Sequence, residues 1–115
     1  MMRLTDVVAA LELKPLTNNG EFESDVISAL VCDLLSVVLA KAQESDLWIT
    51  IQRHQNIVAV AKVTSVAGVI LADGVVPEQG VIDKASQEGV ILLATDKPAF
   101  AVCGLLFALL NSEKG

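Results

Sequence analysis

Four short apolar runs, each followed by a segment with helical signals, are the feature that most constrains the fold of this chain. The runs consist mostly of Val, Ile and Leu and span residues 26–32, 46–51, 67–73 and 90–96. Strands that are apolar on both sides must be covered on both faces, which is typical of parallel sheets connected by helices. The pattern predicts an α/β protein, a layered α/β/α fold with a mainly parallel sheet.

The segments between the runs carry the start and stop signals of helices. They predict helices over residues 33–42, 55–64, 78–88 and 99–110. Asp33 lies at the start of the first of these and Lys41 near its end, as the helix dipole favours. Another helix is predicted before the first run; Thr5 or Asp6 caps it, and it ends before Pro15, where a short extended piece begins. A turn-rich loop over residues 17–24 follows.

Charge and composition argue against several classes of partner. The net charge is −6, and the acidic residues are spread along the chain without a Lys/Arg stripe, so nucleic acid and membrane are not expected partners. The longest apolar run is well below the ~20 residues of a membrane span, and no signal peptide is recognisable. Cys32 and Cys103 lack further ligands at metal-binding spacing. We expect one cytoplasmic domain over residues 1–115, with no metal and no cofactor.

The stretch "LWITIQRHQNIVAV" (47–60) contains the only tryptophan and the only histidine of the chain. It runs from an apolar strand into a helix, and open α/β sheets bind ligands outside the carboxyl ends of their strands, where helix amino termini favour anions. We expect the polar residues that follow the strands to share one mouth. The candidate ligand-binding residues are Asp33, Ser36, Gln52, Arg53, His54, Asn56, Asp73, Gly74 and Thr95.

Two other interpretations of these residues stay open. They fit a purely structural role, in which polar side chains cap helices and end strands. They also fit a small enzyme, a phosphoryl- or acyl-transfer component that uses His54 as acid and base or Cys32 as nucleophile. However, the sequence contains no P-loop, no G-x-G-x-x-G turn and no G-x-S-x-G elbow, so no catalytic residue is assigned.

The last predicted helix, residues 99–110, has no polar side chain on any side. Packing on a sheet hides only one stripe of such a helix. An exposed remainder with Phe100, Leu106, Phe107 and Leu110 would be an unusually large apolar patch for a monomer. The pattern predicts a homodimer through this helix. Burial within the chain is the alternative, and a purely structural assembly subunit is a further possibility.

The stretches "LVCDLLS" (30–36), "DLWITIQRHQNIVAVA" (46–61) and residues 69–96, together with the closing helix, carry a family resemblance over nearly the whole chain. The chain resembles the DRTGG domain family, which is related in fold to the amino-terminal domain of bacterial HPr kinase/phosphorylase. It is most similar to stand-alone members from anaerobic bacteria. The motif that names the family falls at Gln52-Arg53 and at Ala72-Asp73-Gly74, so only Arg53 and Gly74 match it.

The resemblance implies a regulatory or interaction module and establishes no catalytic activity. Members of the family are attached to phosphotransacetylases or lie between the CBS domains of some pyrophosphatases, and they often contribute to dimerisation. We therefore expect a non-catalytic bacterial module that senses a small anionic metabolite or binds a partner enzyme.

Overall fold

The computed structural model describes residues 2–17 and 22–112, so residues 18–21 of the predicted loop lie outside the described residues. The strands are β1 (Met2–Arg3), β2 (Lys14–Pro15), β3 (Asp25–Val26), β4 (Ser28–Val31), β5 (Asp46–Thr50), β6 (Gly68–Leu71) and β7 (Leu92–Ala94). The helices are α1 (Leu4–Leu11), α2 (Leu35–Lys41), α3 (Asn56–Thr64), α4 (Gln79–Glu88) and α5 (Ala99–Ser112). Strands β4 to β7 are the centres of the four predicted apolar runs.

The main sheet has five strands in the order β2-β7-β6-β5-β4. Strands β4 to β7 are parallel and lie side by side in chain order, with Val31 opposite Ile49 and Thr50 opposite Leu71. The short β2 pairs antiparallel with β7 at one edge. A separate antiparallel pair joins β1 to β3. The predicted α/β fold with a mainly parallel sheet is confirmed.

Helices cover both faces of the sheet. Because successive parallel strands step in one direction and their crossovers are right-handed, α2, α3 and α4 lie together on one face. Helices α1 and α5 contact each other on the opposite face. Every residue of β5 is buried, with Trp48 in the α2–α4 layer and Leu47 and Ile49 in the α1–α5 layer. The three layers of the predicted fold are therefore present.

Two helices begin at residues other than the predicted ones. The N-cap of α1 is Arg3, not Thr5 or Asp6. Asp6 lies in the first turn, where its Oδ2 accepts a hydrogen bond from the Arg3 backbone N–H at 3.1 Å. Helix α2 begins at Leu35, two residues after Asp33. The Asp33 carboxylate is engaged by donors of the neighbouring strand instead, so a tertiary contact outweighs the local capping signal.

Helix α5 is apolar all round, as its sequence indicates, but only part of it is exposed. Val102 and Leu106 are one turn apart, and both are buried against the sheet. Leu106 is only 1% exposed, so it belongs to the core and not to the predicted surface patch. Leu110 is half-buried, whereas Phe100 and Phe107 are 90% and 72% exposed.

Among the described residues, no helix is long and apolar enough to cross a membrane.

The amino-terminal segment is attached to the far end of the chain. Besides the pairing of β2 with β7, Thr17 Oγ1 accepts a hydrogen bond from the Leu92 N–H at 3.3 Å. The Lys97 ammonium donates to the carbonyl oxygen of Leu11, at the end of α1, at 3.2 Å. These contacts hold α1 against the same face of the sheet as α5.

Two glycines of α4 test the backbone geometry of this layer. Gly89 ends the helix with φ of 74°, whereas Gly80 lies within it, and a Cβ atom at either position would meet nothing within 4 Å. We expect Gly89→Ala to lower the free energy of unfolding by about 1 kcal/mol, because left-handed backbone is unfavourable for alanine. Gly80→Ala should raise it by about 0.5–1 kcal/mol. Urea denaturation measures both, and equal effects would contradict the assigned backbone conformations.

Candidate functional site

The loops that follow β4, β5, β6 and β7 meet at the carboxyl edge of the sheet and are hydrogen-bonded to one another in a row. Thr50 Oγ1 donates to Asp33 Oδ1 at 2.7 Å, which joins the first loop to the second. The Ala72 N–H donates to the Thr50 carbonyl oxygen, and the Gly74 N–H to that of Thr95, both at 3.0 Å. The four junctions predicted to form one polar edge do lie along one edge.

Asp33 holds the loop after β5 in place. Its Oδ1 accepts a second hydrogen bond, at 3.0 Å, from the Ile51 backbone N–H. In return, the Gln52 side-chain amide donates to the Asp33 carbonyl oxygen at 3.1 Å, and the Gln52 N–H donates to Thr50 Oγ1 at 3.1 Å. Asp33 and Gln52 thus tie two loops together, and the geometry gives Asp33 a positioning role.

Trp48 fixes the start of the same loop from within the core. Its side chain is fully buried, and its indole Nε1–H donates to the Cys32 carbonyl oxygen at 2.8 Å. A buried indole N–H requires such an acceptor, and the Cys32 carbonyl oxygen supplies it for the only tryptophan of the chain. The thiol of Cys32, half-buried, lies 3.5 Å from the Leu34 carbonyl oxygen, to which it donates.

A cavity of about 540 Å³ lies between the loop after β5 and the start of α4. We call it the Arg53 cavity. It is lined by Gln52, Arg53, His54, Gln55, Val76, Glu78 and Val81. The Arg53 side chain is exposed, and within residues 2–17 and 22–112 its guanidinium makes no hydrogen bond or ion pair. The cavity therefore contains a cation with all its donors available.

One ring nitrogen of His54 is hydrogen-bonded to the backbone. Its Nδ1 accepts a hydrogen bond from the N–H of Asn56, the first residue of α3, at 3.2 Å. The imidazole thus satisfies one of the free donors at the start of this helix. A neutral histidine that accepts at Nδ1 carries its hydrogen on Nε2. His54 therefore presents a donor, as Arg53 does.

Asp73 and Gly74 form a tight turn directly after β6. Their φ angles are 60° and 71°, and the Val75 N–H donates to the Ala72 carbonyl oxygen at 3.2 Å, as in a type I′ turn. The Asp73 N–H donates to the Lys97 carbonyl oxygen at 2.9 Å. With the Gly74 N–H bound to Thr95, both turn N–H groups are occupied within the protein.

The nine candidate residues are divided among several surfaces. Gln52, Arg53 and His54 share the Arg53 cavity, and Asp33 lies behind their loop. Gly74 and Thr95 line a second cavity of about 410 Å³, on the other side of Val76. Three candidates lie elsewhere. Asn56 lines a surface cleft between α3 and α4. Ser36 is exposed on α2, and Asp73 is exposed in the turn after β6. The candidates therefore do not share a single mouth: five of them line two adjoining cavities, and the other four lie outside both.

Val76, Glu78 and Val81 line the Arg53 cavity but were not predicted from the sequence as cavity residues. Glu78 is the N-cap of α4, and its side chain makes no capping hydrogen bond. The sequence predicts Glu78 as the start of a helix, and no local sequence signal indicates that this helix start lies beside Arg53.

In the described part of the chain, no group of three or more His, Cys, Asp or Glu residues could hold a metal ion.

Comparison with solved structures finds a similar fold. One match is the structure of the CBS and DRTGG domains of the regulatory region of Clostridium perfringens pyrophosphatase, complexed with its activator diadenosine tetraphosphate, with a TM-score of 0.71 and 20% sequence identity. The match covers 90% of this chain and 45% of that one, so this chain spans less than half of the neighbour. No family model matches the chain, and neither does any curated protein. The likeness shows that the two chains share a fold.

Replacing Asp33 tests its positioning role. We expect Asp33→Ala to lower the free energy of unfolding by about 1.5–3 kcal/mol, because hydrogen bonds to a charged group are lost. Thr50→Val should cost less, and the double variant should cost less than the sum, because both changes remove the same contact. Chemical denaturation of the three variants gives the coupling energy.

The control is Asp83→Ala, which removes an exposed contact within α4 and should change the free energy of unfolding by only about 0.5 kcal/mol. Strictly additive effects of the Asp33 and Thr50 substitutions would contradict the positioning role of Asp33.

Proposed function

We propose that residues 1–115 form a non-catalytic regulatory domain of the DRTGG type, cytoplasmic and bacterial, that binds a small anionic metabolite in the Arg53 cavity. The observation that carries the proposal is the pair of available donors in this cavity, the guanidinium of Arg53 and Nε2 of His54. Planar guanidinium groups bind phosphate and carboxylate in two-point geometry. A volume of about 540 Å³ is within the range of small-molecule sites.

The surroundings of the cavity support an anionic ligand. Helices α3 and α4 both begin beside it. The first N–H groups of α3 are bound to His54 and Gln55, but the free N–H groups at the amino terminus of α4 favour negative charge. An unpaired arginine is also the expected attractor for an anion in a chain whose net charge is −6.

Glu78 narrows the class of ligand. Its carboxylate lines the same cavity as Arg53 and would repel a bare polyanion, but it accepts hydrogen bonds from hydroxyl or amino groups. A ligand that carries a phosphate at one end and hydroxyl or amino groups at the other fits both charges. Nucleotides are of this class, and the structural neighbour binds the nucleotide diadenosine tetraphosphate as its activator.

The mechanism of regulation would be differential binding. A ligand that spans Arg53 and Glu78 favours one arrangement of the loop after β5 relative to the start of α4, and this shift changes the affinity for a partner enzyme or for a second copy of the chain. The exposed Phe100 and Phe107 support self-association through α5. The proposed assembly is a homodimer that senses a metabolite.

The enzyme hypothesis gains no geometric support from the described residues. Nδ1 of His54 is bound to a backbone N–H, and no described carboxylate is hydrogen-bonded to this ring. The Cys32 thiol donates to a backbone carbonyl oxygen. Neither residue is arranged beside the partner that general acid–base or nucleophilic catalysis requires.

A thermal-shift and calorimetric titration with diadenosine tetraphosphate, ATP and acetyl phosphate tests the proposal. A probe at 100 times its dissociation constant should stabilise the protein by roughly 2.7 kcal/mol. Arg53→Ala should weaken binding at least tenfold. The matched control is Arg3→Ala, which removes the same charge from a residue already paired with Glu23 at 2.8 Å and should leave binding unchanged.

Two results would contradict the ligand site. One is the absence of stabilisation by all three probes at millimolar concentration. The other is an equal loss of binding in the Arg3 and Arg53 variants, which would indicate general electrostatic attraction without a site.

A further inference from the structure

One face of the sheet is incompletely covered along β4. Three helices pack on the α2–α4 face, whereas among the described residues the other face is covered by two helices, α1 and α5, and by the β1–β3 pair. On this second face Ala29 is part of the core, and because side chains alternate along a strand, Ile27 and Val31 point to the same side. They are 57% and 56% exposed. The edge strand therefore leaves apolar surface uncovered beside α5.

A groove of about 320 Å³ runs between β4 and α5 over this surface. We call it the β4–α5 groove. Its side-chain lining includes Ile27, Val31, Cys103, Leu106, Phe107 and Leu110. None of its lining residues is charged. Ser28 and Asn111 are its polar lining residues, so the groove favours an occupant that is uncharged and mostly apolar.

Helix α5 itself carries a second apolar stripe beside the one that packs on the sheet. Phe100, Cys103, Phe107 and Leu110 follow one another at steps of three and four residues, which is the spacing of an a/d seam in paired helices. The core stripe, Val102 and Leu106, is adjacent to it. Three members of the seam line the groove, and the fourth, Phe100, is 90% exposed.

We propose that α5 of a second copy of this chain fills the β4–α5 groove, so that the two α5 helices pair antiparallel about a two-fold axis. The inference rests on the homodimer of the proposed function and specifies its contact surface. An isologous contact of this kind needs a surface that is complementary to itself. The seam and the groove meet this condition because Phe107 and Leu110 belong to both.

Charge favours this occupant over the other helices of the chain. Helices α1 to α4 each contain at least one charged residue, whereas Ala99–Ser112 contains none. Two copies with a net charge of −6 each repel one another over most of their surfaces. A stable contact between them is therefore favoured where both surfaces are uncharged, and the groove beside α5 is such a place.

The exposed apolar area is close to what a dimer needs. A phenylalanine buries roughly 150–250 Å², and because Phe100 and Phe107 are 90% and 72% exposed, two copies supply roughly 500–800 Å². Ile27 and Val31 of both copies add to this. Together these side chains approach the area of about 1,200 Å² at which specific interfaces begin.

Sedimentation equilibrium of the full chain over a dilution series tests the arrangement with three variants that each introduce one lysine. We expect the unmodified chain to be dimeric, and Phe107→Lys and Val31→Lys each to raise the dissociation constant at least tenfold. The control Val63→Lys changes a side chain that is 73% exposed on α3, in the opposite layer, and should leave the dimer intact. Each variant lowers the net negative charge, so greater repulsion between the overall charges of the two copies cannot explain dissociation.

Alkylation of the two thiols gives a second readout. Cys103 lines the groove, whereas Cys32 packs against the α2–α4 layer. Cys103 should react at least tenfold more slowly at concentrations where the chain is dimeric than after dilution, and Cys32 should react at the same rate in both. Phe107→Lys should remove the dependence on concentration.

The outcomes separate this inference from the proposed function. A chain that is monomeric at every concentration overturns both the groove contact and the homodimer, but leaves the Arg53 cavity, which one copy forms alone, unaffected. If Phe107→Lys dissociates the dimer but Val31→Lys does not, the pairing of the two α5 helices is retained and the filling of the groove is overturned. A dimer that resists both variants overturns both contacts.

Discussion

The spatial order of the parallel strands is the constraint on which the rest of the structure depends. Because β4 to β7 lie side by side in chain order, right-handed crossovers place all three connecting helices on one face. The opposite face must then be covered by the elements that precede and follow this unit, α1 and α5. Two helices on that face leave Ile27 and Val31 exposed. The apolar character of α5 and the uncovered edge of β4 thus have a common topological origin.

The polar cluster of the chain belongs to the same arrangement. All four parallel strands end at one edge, and Asp33, Thr50 and Gln52 link the first two loops of that edge. The linked loop presents Arg53 and His54 to the cavity beside α4. Only Cys32 separates Val31, in the groove, from Asp33, which holds this loop. The two surfaces proposed for binding are therefore joined through the end of one strand.

The strands of the α/β unit could be predicted because each is an apolar run, and the helices because each follows such a run in the sequence. Strands β1 and β3 could not, since each is only two residues long and shows no periodicity. A helix that is apolar on all sides, such as α5, does not reveal which stripe will face the sheet, and Leu106 was therefore placed on the wrong side. The sequence predicts Asp33 at the start of α2 because it directly precedes that helix. Its hydrogen-bond partners, Thr50 and Ile51, lie at the end of the next strand, and no local signal indicates them. Glu78 was missed for a similar reason, since its cavity forms only when two loops meet.

The attachment of the amino-terminal segment to β7 has a consequence for the order of folding. Strands β4 to β7 pair with their nearest neighbours in the chain, so each unit closes only a short loop as the polypeptide lengthens. Lys14 and Pro15, by contrast, find their partners in Leu93 and Ala94, near the other end of the chain. On the ribosome, α1 is synthesised before the sheet but would dock after it, and Leu4, Val7 and Leu11 would remain uncovered until α5 is made. Chaperone contact during synthesis is therefore expected to concentrate on this amino-terminal helix.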